Sequence, residues 1–288
     1  MRMIGRRNFL AGAGVSLVCA PDLMGVGRAQ PALITVLSAP LELVGDWDGS
    51  PTSAAAVVIS RMREVSLAGI RLLSDRQPER LRVDKHSSGP PAIWLHKNPP
   101  TTAWIIVDIG ARDWCKLAYQ FGHELGHVLC NSWGPEAKPQ PPSQWLEEAL
   151  VEAFSLHGLG LLAASWEANP PFRGDAAFAD SIRKYRTNQI AEYQKEPAPD
   201  GDLAKWFHNR RDALPQGVSL EEGPAIIAIL AELIADNASV EDMGALNRWP
   251  RRTGVPVEEY LSLWQQSCAE LGACGRLPQQ LRAILKLG

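Results

Sequence analysis

Residues 113–130 read DWCKLAYQFGHELGHVLC, the clearest helical pattern in the chain. Apolar residues recur there every three or four positions and predict one buried face, formed by Trp114, Leu117, Phe121, Leu125 and Val128. Asp113 stands directly before the pattern, where its side chain can accept a hydrogen bond from a free backbone N–H group of the first turn. We therefore expect a long core helix that begins after Asp113.

The elements on the two sides of this helix differ in kind. Short β-rich runs precede it at 32–38, 70–74, 92–96 and 103–109, together with one helical pattern at 53–63. Only helical patterns follow it, at 144–158, 175–194, 221–236, 256–271 and 278–286. This order predicts an α+β fold, in which a small N-terminal mixed sheet packs on the helix at 113–130 and a mainly helical C-terminal part follows.

The predicted helix carries the motif His-Glu-x-x-His at residues 123–127. Two histidines four residues apart project from one helical face with Cβ atoms about 6 Å apart, close enough to share one zinc ion. Glu124 lies on the adjoining flank, where it can take a proton from an activated water and pass it to a leaving amine. A catalytic zinc site normally has three protein ligands and an open position, so a third ligand is needed.

Two stretches after the motif bear on the third ligand. The elongated metzincin signature is excluded, because Cys130 and Trp133 stand where that class has a glycine and its third histidine. Residues 144–152 read QWLEEALVE. Together with His-Glu-x-x-His, this stretch resembles the paired motifs of the gluzincins, the thermolysin- and aminopeptidase-like zinc metallopeptidases.

The resemblance implies a zincin-like fold and a specific set of site residues. It implies one zinc ion held by His123, His127 and Glu148, and it gives Glu152 the role of an acid that hydrogen-bonds a ligand histidine. Glu147 points about 100° away from Glu148 around the helix, and we expect it to be solvated.

A looser resemblance extends over roughly 103–270. Residues 223–230, GPAIIAIL, resemble the helix that follows the glutamate helix in many small gluzincins, and residues 256–264 resemble their closing helix. Such enzymes often carry a tyrosine three residues before the later helix opens, where it donates a hydrogen bond to the developing oxyanion. This chain has Leu220 at that position. Candidates for the missing role are His208, Tyr185 and Tyr193.

The N-terminus has the pattern of an export signal. Arg6 and Arg7 precede a weakly apolar run of about 12 residues, and Gly27 and Ala29 are small residues at the −3 and −1 positions of a cleavage point. The pattern resembles a twin-arginine signal peptide at 1–29, which predicts a periplasmic or secreted mature protein.

The remainder, 30–288, is expected to form a single catalytic domain. Its α/β part at 30–130 would carry the His-Glu-x-x-His helix, and its helical part at 144–288 would carry the glutamate ligand. No stretch after the signal peptide is expected to span a membrane.

Composition and cysteine spacing set further limits. The net charge of −3 disfavours a broad electrostatic grip on nucleic acid. Cys115 and Cys130 lie 15 residues apart on one predicted helix, roughly 22 Å, which is too far for a disulfide bond. Cys268 and Cys274 can pair across a helix end, and free thiols are the equal alternative.

Three functions remain open from the sequence. The leading hypothesis is an exported zinc metallopeptidase with a peptide or protein substrate and Glu124 as the general base. The second is a catalytically weak zinc-binding protein with a binding or structural role, which the leucine at position 220 motivates. The third is hydrolysis of a small amide or a cell-wall peptide.

Overall fold

The computed structural model describes residues 35–86, 89–137, 141–214, 222–249 and 254–287. These residues belong to one compact unit. The signal peptide expected at 1–29 and the departure at Leu220 lie outside the described residues, so both remain expectations.

The strands form a mixed sheet before the His-Glu-x-x-His helix, as predicted. In the described part of the chain they are Leu41–Gly45 (β1), Arg80–Lys85 (β2), Ala92–Ile93 (β3) and Thr102–Val107 (β4). Their spatial order is β1-β2-β4-β3, with β1, β2 and β4 parallel and β3 antiparallel at the edge. Alternate residues of the two central strands are fully buried and form the inner face of the sheet: Leu81, Val83, Ala103 and Ile105.

The helices agree with the predicted patterns to within a few residues, except that the third is ten residues longer than its pattern. They are Thr52–Ser66 (α1), Trp114–Leu129 (α2), Gln144–Ala168 (α3), Phe178–Tyr193 (α4), Leu203–Arg210 (α5), Gly223–Ala235 (α6), Val257–Leu271 (α7) and Arg276–Ile284 (α8). The α+β class is therefore confirmed. Sequence reasoning missed α5 and the 3₁₀ segment Asn237–Ala245.

Two of the predicted strands are wrong. The described part of 32–38 is a turn, because the carbonyl of Thr35 accepts the backbone N–H groups of both Ser38 and Ala39. Residues 70–74 have no strand pairing. The first two strands of the sheet are β1 and β2, and neither lies in a predicted run. An apolar run predicts burial but not a hydrogen-bonded neighbour, and β2 was overlooked because charged residues occupy its other face.

Helix α2 lies in the core, between the sheet and α3. The side chain of Asp113 accepts the backbone N–H of Lys116, as expected of an N-cap. Two glycines allow close packing: a Cβ atom at Gly126 would meet Val151 of α3 at 2.8 Å, and one at Gly122 would meet Ser155 at 2.9 Å. The absence of side chains at these two positions brings the helix of the two histidines directly against the helix of the glutamates.

Helix α3 bears on the expectation that no stretch after the signal peptide spans a membrane. It has 25 residues and contains an 18-residue window with a mean hydropathy of 1.3, so by length and composition it could cross a membrane. A second candidate arises only if α6 and the following 3₁₀ segment count as one span despite the 117° bend between them. In α3, 78% of the apolar window is buried inside the protein, which is typical of a central core helix.

Three of the cysteines can be assigned as free thiols and not as disulfide partners. Cys115, Cys268 and Cys274 carry free thiols in this structure. Burial raises the pKa of the Cys115 thiol to about 11, which disfavours its reactive thiolate form.

Candidate metal centre

The two histidines of the motif meet Glu148, as predicted. His123 and His127 lie one turn apart on α2, with ring centroids 5.1 Å apart. Glu148, near the start of α3, reaches between them. Its Oε2 atom lies 3.4 Å from the Nε2 atom of each histidine.

These three side chains form a group that could hold a metal ion. Two imidazole nitrogens and one carboxylate oxygen lie within 4.8 Å of one another. Neighbouring ligand atoms of a tetrahedral site lie roughly 3.4 Å apart when each is about 2.0–2.1 Å from the ion. The distances from Glu148 Oε2 to the two Nε2 atoms, 3.4 Å each, match this spacing. The donor set therefore fits a small divalent cation with a fourth position left open.

The Nδ1 atom of His123 is held by one buried carboxylate. Glu152 Oε2 lies 2.9 Å from this nitrogen, and the hydroxyl of Tyr119 donates to Glu152 Oε1 at 2.6 Å. The hydroxyl of Tyr193, at the end of α4, lies 3.2 Å from that of Tyr119. The role implied for Glu152 thus agrees with the geometry. We call His123, Glu152, Tyr119 and Tyr193 the His123 arm.

The Nδ1 atom of His127 is held by a second buried carboxylate, which corrects the sequence expectation for Glu147. This side chain is not solvated: it is 1% exposed, and its Oε1 atom lies 3.0 Å from His127 Nδ1. Its other oxygen accepts a hydrogen bond from the amide of Asn247 at 2.7 Å. The hydroxyl of Tyr260 lies 3.4 Å from the same oxygen and donates to Asn247 Oδ1 at 3.0 Å. We call His127, Glu147, Asn247 and Tyr260 the His127 arm.

The positions of Glu147 and Glu148 around the axis of α3 explain why both side chains reach His127. Two residues side by side on a helix differ by about 100°, so both can face a neighbour that packs closely over them. Because α2 is drawn against α3 at Gly122 and Gly126, Glu147 and Glu148 both reach His127, from opposite ends of its ring. This close approach excludes solvent from the Glu147 side chain.

The carboxylates control the protonation of the histidines. Burial by itself lowers the pKa of His123, but hydrogen bonds to Glu148 and Glu152 outweigh it and raise that pKa to about 10. Burial also lowers the pKa of His127. The charge of Glu148 and the hydrogen bond to Glu147 outweigh it and hold that pKa well above its ordinary value. Burial likewise favours a protonated Glu148, yet the two histidines hold its pKa well below the usual range. A cation would therefore replace protons on the two Nε2 atoms, between fixed Nδ1 partners.

Glu124 is the buried acid of the site. It is 2% exposed, and its Oε2 atom has no hydrogen-bond partner among the described residues. Burial raises its pKa, although the neighbouring charges of His123 and His127 act in the opposite direction. A carboxyl group with a raised pKa and an unused oxygen is suited to accept a proton and then release it.

The three candidates for a transition-state stabiliser do not contact the candidate metal ligands. Tyr193 is engaged with Tyr119, and the ring of Tyr185 packs against Tyr119 at 5.7 Å. Burial raises the pKa of Tyr185 to about 12. His208 is exposed on α5 and packs on Phe207. None of the three contacts His123, His127 or Glu148 in the hydrogen bonds that the structure describes.

Sequence reasoning missed four residues that support the metal group. Tyr119 carried a usable signal, because it lies four residues before His123 on the same helical face. The position of Glu147 was misleading, because its direction around the helix indicated exposure to solvent. Asn247 and Tyr260 lie 100 and 113 residues from Glu147 in sequence, and no local pattern links them to it.

Comparisons with protein-family models, with curated proteins and with solved structures gave no match to this chain.

Proposed function

We propose that this chain is an exported zinc-dependent metallopeptidase. The observation that carries the proposal is the convergence of His123, His127 and Glu148 next to a buried Glu124 with an unused oxygen. Nitrogen and oxygen donors in this number suit zinc, and three protein ligands are the usual complement of a catalytic site.

A bound zinc ion would supply Lewis acidity, polarising a scissile carbonyl and lowering the pKa of a water molecule. His123 and His127 would hold the ion through Nε2, because their Nδ1 atoms are held by Glu152 and Glu147. Glu124 accepts the proton of the attacking water as general base. It then donates that proton to the leaving amine as general acid.

The test replaces Glu124 with glutamine. Glu124→Gln keeps the size of the side chain but cannot accept the proton, so we expect cleavage of a peptide library to fall by about 10²-fold or more. Zinc content should stay at the wild-type level, because Glu124 is not among the three ligands. The matched control is Glu167→Gln, an exposed position near the other end of α3, which should leave both measurements unchanged.

A second candidate function is supported by the contacts of Tyr193 and Tyr185, which both lie against Tyr119 and not against the candidate metal ligands. A zinc-binding protein with a binding or structural role would contain stoichiometric zinc and cleave no peptide in the library. Cleavage that depends on Glu124 excludes this alternative. Equal cleavage by wild type and Glu124→Gln excludes the proposed mechanism.

A further inference from the structure

A second feature of the molecule is a cavity of about 650 Å³ beyond the end of α2. That volume is in the range of pockets that bind small ligands. Its walls come from the segment before β2, the segment after β3 and the loop that follows α2. The residues relevant here are Arg76, His96, Lys97, Asn131, Trp133 and Glu136.

The cavity begins close to the candidate metal centre along the chain. Asn131 lies four residues after His127, and the backbone N–H of Ser132 donates to the carbonyl of His127 at 2.9 Å. Helix α2 ends at Leu129 and Asn131 has a φ of 65°, so this stretch is not helical. Four residues of chain span at most about 14 Å, which bounds the distance from the His127 backbone to this part of the cavity wall. An extended peptide of about four residues covers the same distance.

Two of the wall residues form a fixed frame. The indole N–H of Trp133 donates to the backbone carbonyl of Arg76 at 3.2 Å. The amide of Asn131 donates to the carbonyl of Leu246 at 2.6 Å. Because these polar groups are used within the protein, Trp133 contributes mainly an apolar ring surface to the cavity.

The remaining polar groups favour a negatively charged ligand. Arg76 lies 3.9 Å from Glu136, beyond hydrogen-bond distance, and the Glu136 side chain is 68% exposed, so this ion pair is loose. Lys97 is exposed, and it forms no ion pair with another residue that the structure describes. Two cations therefore face one weakly held acid. A guanidinium group can bind both oxygens of a carboxylate.

His96 adds a buried group that lacks a partner. Its ring packs edge-on against Trp104 at 5.4 Å, which fixes its orientation. Both ring nitrogens are buried, and neither has a hydrogen-bond partner among the described residues. A neutral imidazole has one donor and one acceptor, and buried groups of this kind are normally satisfied. An oxygen of a bound ligand would accept the free N–H.

We propose that this cavity binds a carboxylate of the peptide substrate, held by Arg76 and Lys97 with His96 as a further donor. The proposal rests on the proposed peptidase function and gives it a substrate class: peptides with a carboxylate a few residues from the scissile bond. That carboxylate belongs either to the peptide C-terminus or to an Asp or Glu side chain.

The experiment measures peptide binding to the zinc-loaded, full-length Glu124→Gln variant by calorimetry. Peptides of one sequence carry either a C-terminal acid or a C-terminal amide, and in the amide series a single Glu or Gln is moved along the sequence. We expect the best carboxylate peptide to bind about tenfold more tightly than its neutral counterpart, as for a charge-assisted hydrogen bond. The acid–amide pair and the Glu–Gln pairs distinguish the two sources of the carboxylate.

Three further variants, each in the Glu124→Gln background, tie this preference to the cavity. In the Arg76→Gln/Lys97→Gln double variant, the carboxylate preference should fall to within about twofold. Glu136→Gln should raise it, because the competing acid is removed. The control double variant, Arg173→Gln/Lys184→Gln, changes the net charge equally at exposed positions on and before α4, and should keep the wild-type preference. The melting temperature and zinc content of each variant verify its fold.

Equal binding of acid and neutral peptides would overturn the cavity proposal, as would a preference that survives in the Arg76→Gln/Lys97→Gln variant. Cleavage of the neutral, amidated peptides by the chain with intact Glu124 tests the peptidase proposal separately. Cleavage without a carboxylate preference refutes the cavity proposal alone. A carboxylate preference without cleavage refutes the peptidase proposal alone, and the absence of binding by any peptide refutes both.

Discussion

The two arms that hold the candidate ligand histidines perform the same task with different parts of the chain. The groups that hold the His123 ring are local: Tyr119 lies on the same helix as His123, and Glu152 lies on the helix packed against it. Tyr193, from α4, joins this arm through Tyr119. The His127 arm reaches Asn247 and Tyr260, from the segment after α6 and from α7. One candidate ligand is thus oriented by the two central helices, whereas the other also depends on the C-terminal third of the protein.

The arms differ in hydrogen-bonding flexibility as well as in origin. In the His123 arm the outer partner of the carboxylate is a hydroxyl, which can rotate to donate or to accept. In the His127 arm it is an amide nitrogen, which can only donate. The His127 arm therefore requires a carboxylate more strictly, and variants of equal size should separate the two arms.

The largest effect is expected from Asn247→Asp. This change replaces the amide that donates to Glu147 by a second acid in a site where both residues are 1% exposed. Asn247 has a φ of 55°, which aspartate also tolerates, so the variant changes the side chain without adding backbone strain. We expect the metal-free protein to lose about 3 kcal/mol of unfolding free energy or more, measured by urea denaturation.

The control for this variant is Asn188→Asp, at an exposed position of α4. Its cost should stay within about 0.5 kcal/mol. Similar costs for the two variants would contradict the structural role of the Asn247 amide.

The next effect is on metal affinity and comes from Glu147→Gln compared with Glu152→Gln. Either glutamine can still accept the N–H of its histidine. At position 147, however, its amide group meets the donating amide of Asn247, whereas at position 152 it meets a hydroxyl that can accept. We expect zinc affinity to fall about 100-fold for Glu147→Gln and about tenfold for Glu152→Gln, measured by competition with a chelating dye. Equal losses would remove the distinction between the arms.

The smallest effect is expected from the two phenols. Tyr119 donates to Glu152 at 2.6 Å, whereas Tyr260 lies 3.4 Å from Glu147 and bonds mainly to Asn247. Tyr119→Phe should weaken zinc binding by about fivefold and Tyr260→Phe by about twofold. Tyr185→Phe is the control, because its ring packs on Tyr119 without joining either arm. A larger effect of Tyr260→Phe than of Tyr119→Phe would reverse the predicted order.

The same contrast between local and distant parts explains what the sequence could predict. Helix α2 and its buried face followed from spacing, and the convergence of Glu148 and Glu152 on the histidines followed from the resemblance to paired gluzincin motifs. Both depend on residues within two adjacent helices. Glu147 was assigned to solvent because helical geometry gives a direction around one axis, but not the distance to the neighbouring helix.

The remaining errors have a related cause. Strand β2 was missed because its pairing with β1 and β4 is a property of the sheet, and its charged outer residues hide the alternation of Leu81 and Val83. Asn247 lies just beyond a 3₁₀ segment that no hydrophobic period indicates. Contacts across 100 residues depend on how the helices pack, which a single sequence does not state.

The most direct test of the candidate metal centre is zinc quantification combined with X-ray absorption spectroscopy on the wild type and Glu148→Ala. We expect one zinc ion per wild-type chain, with nitrogen and oxygen ligands at about 2.0–2.1 Å. Glu148→Ala should bind zinc at least tenfold more weakly, and Glu167→Ala, exposed on the same helix, should bind it as the wild type does. Undiminished zinc affinity in Glu148→Ala, or sulfur ligands in the wild type, would contradict a site formed by His123, His127 and Glu148.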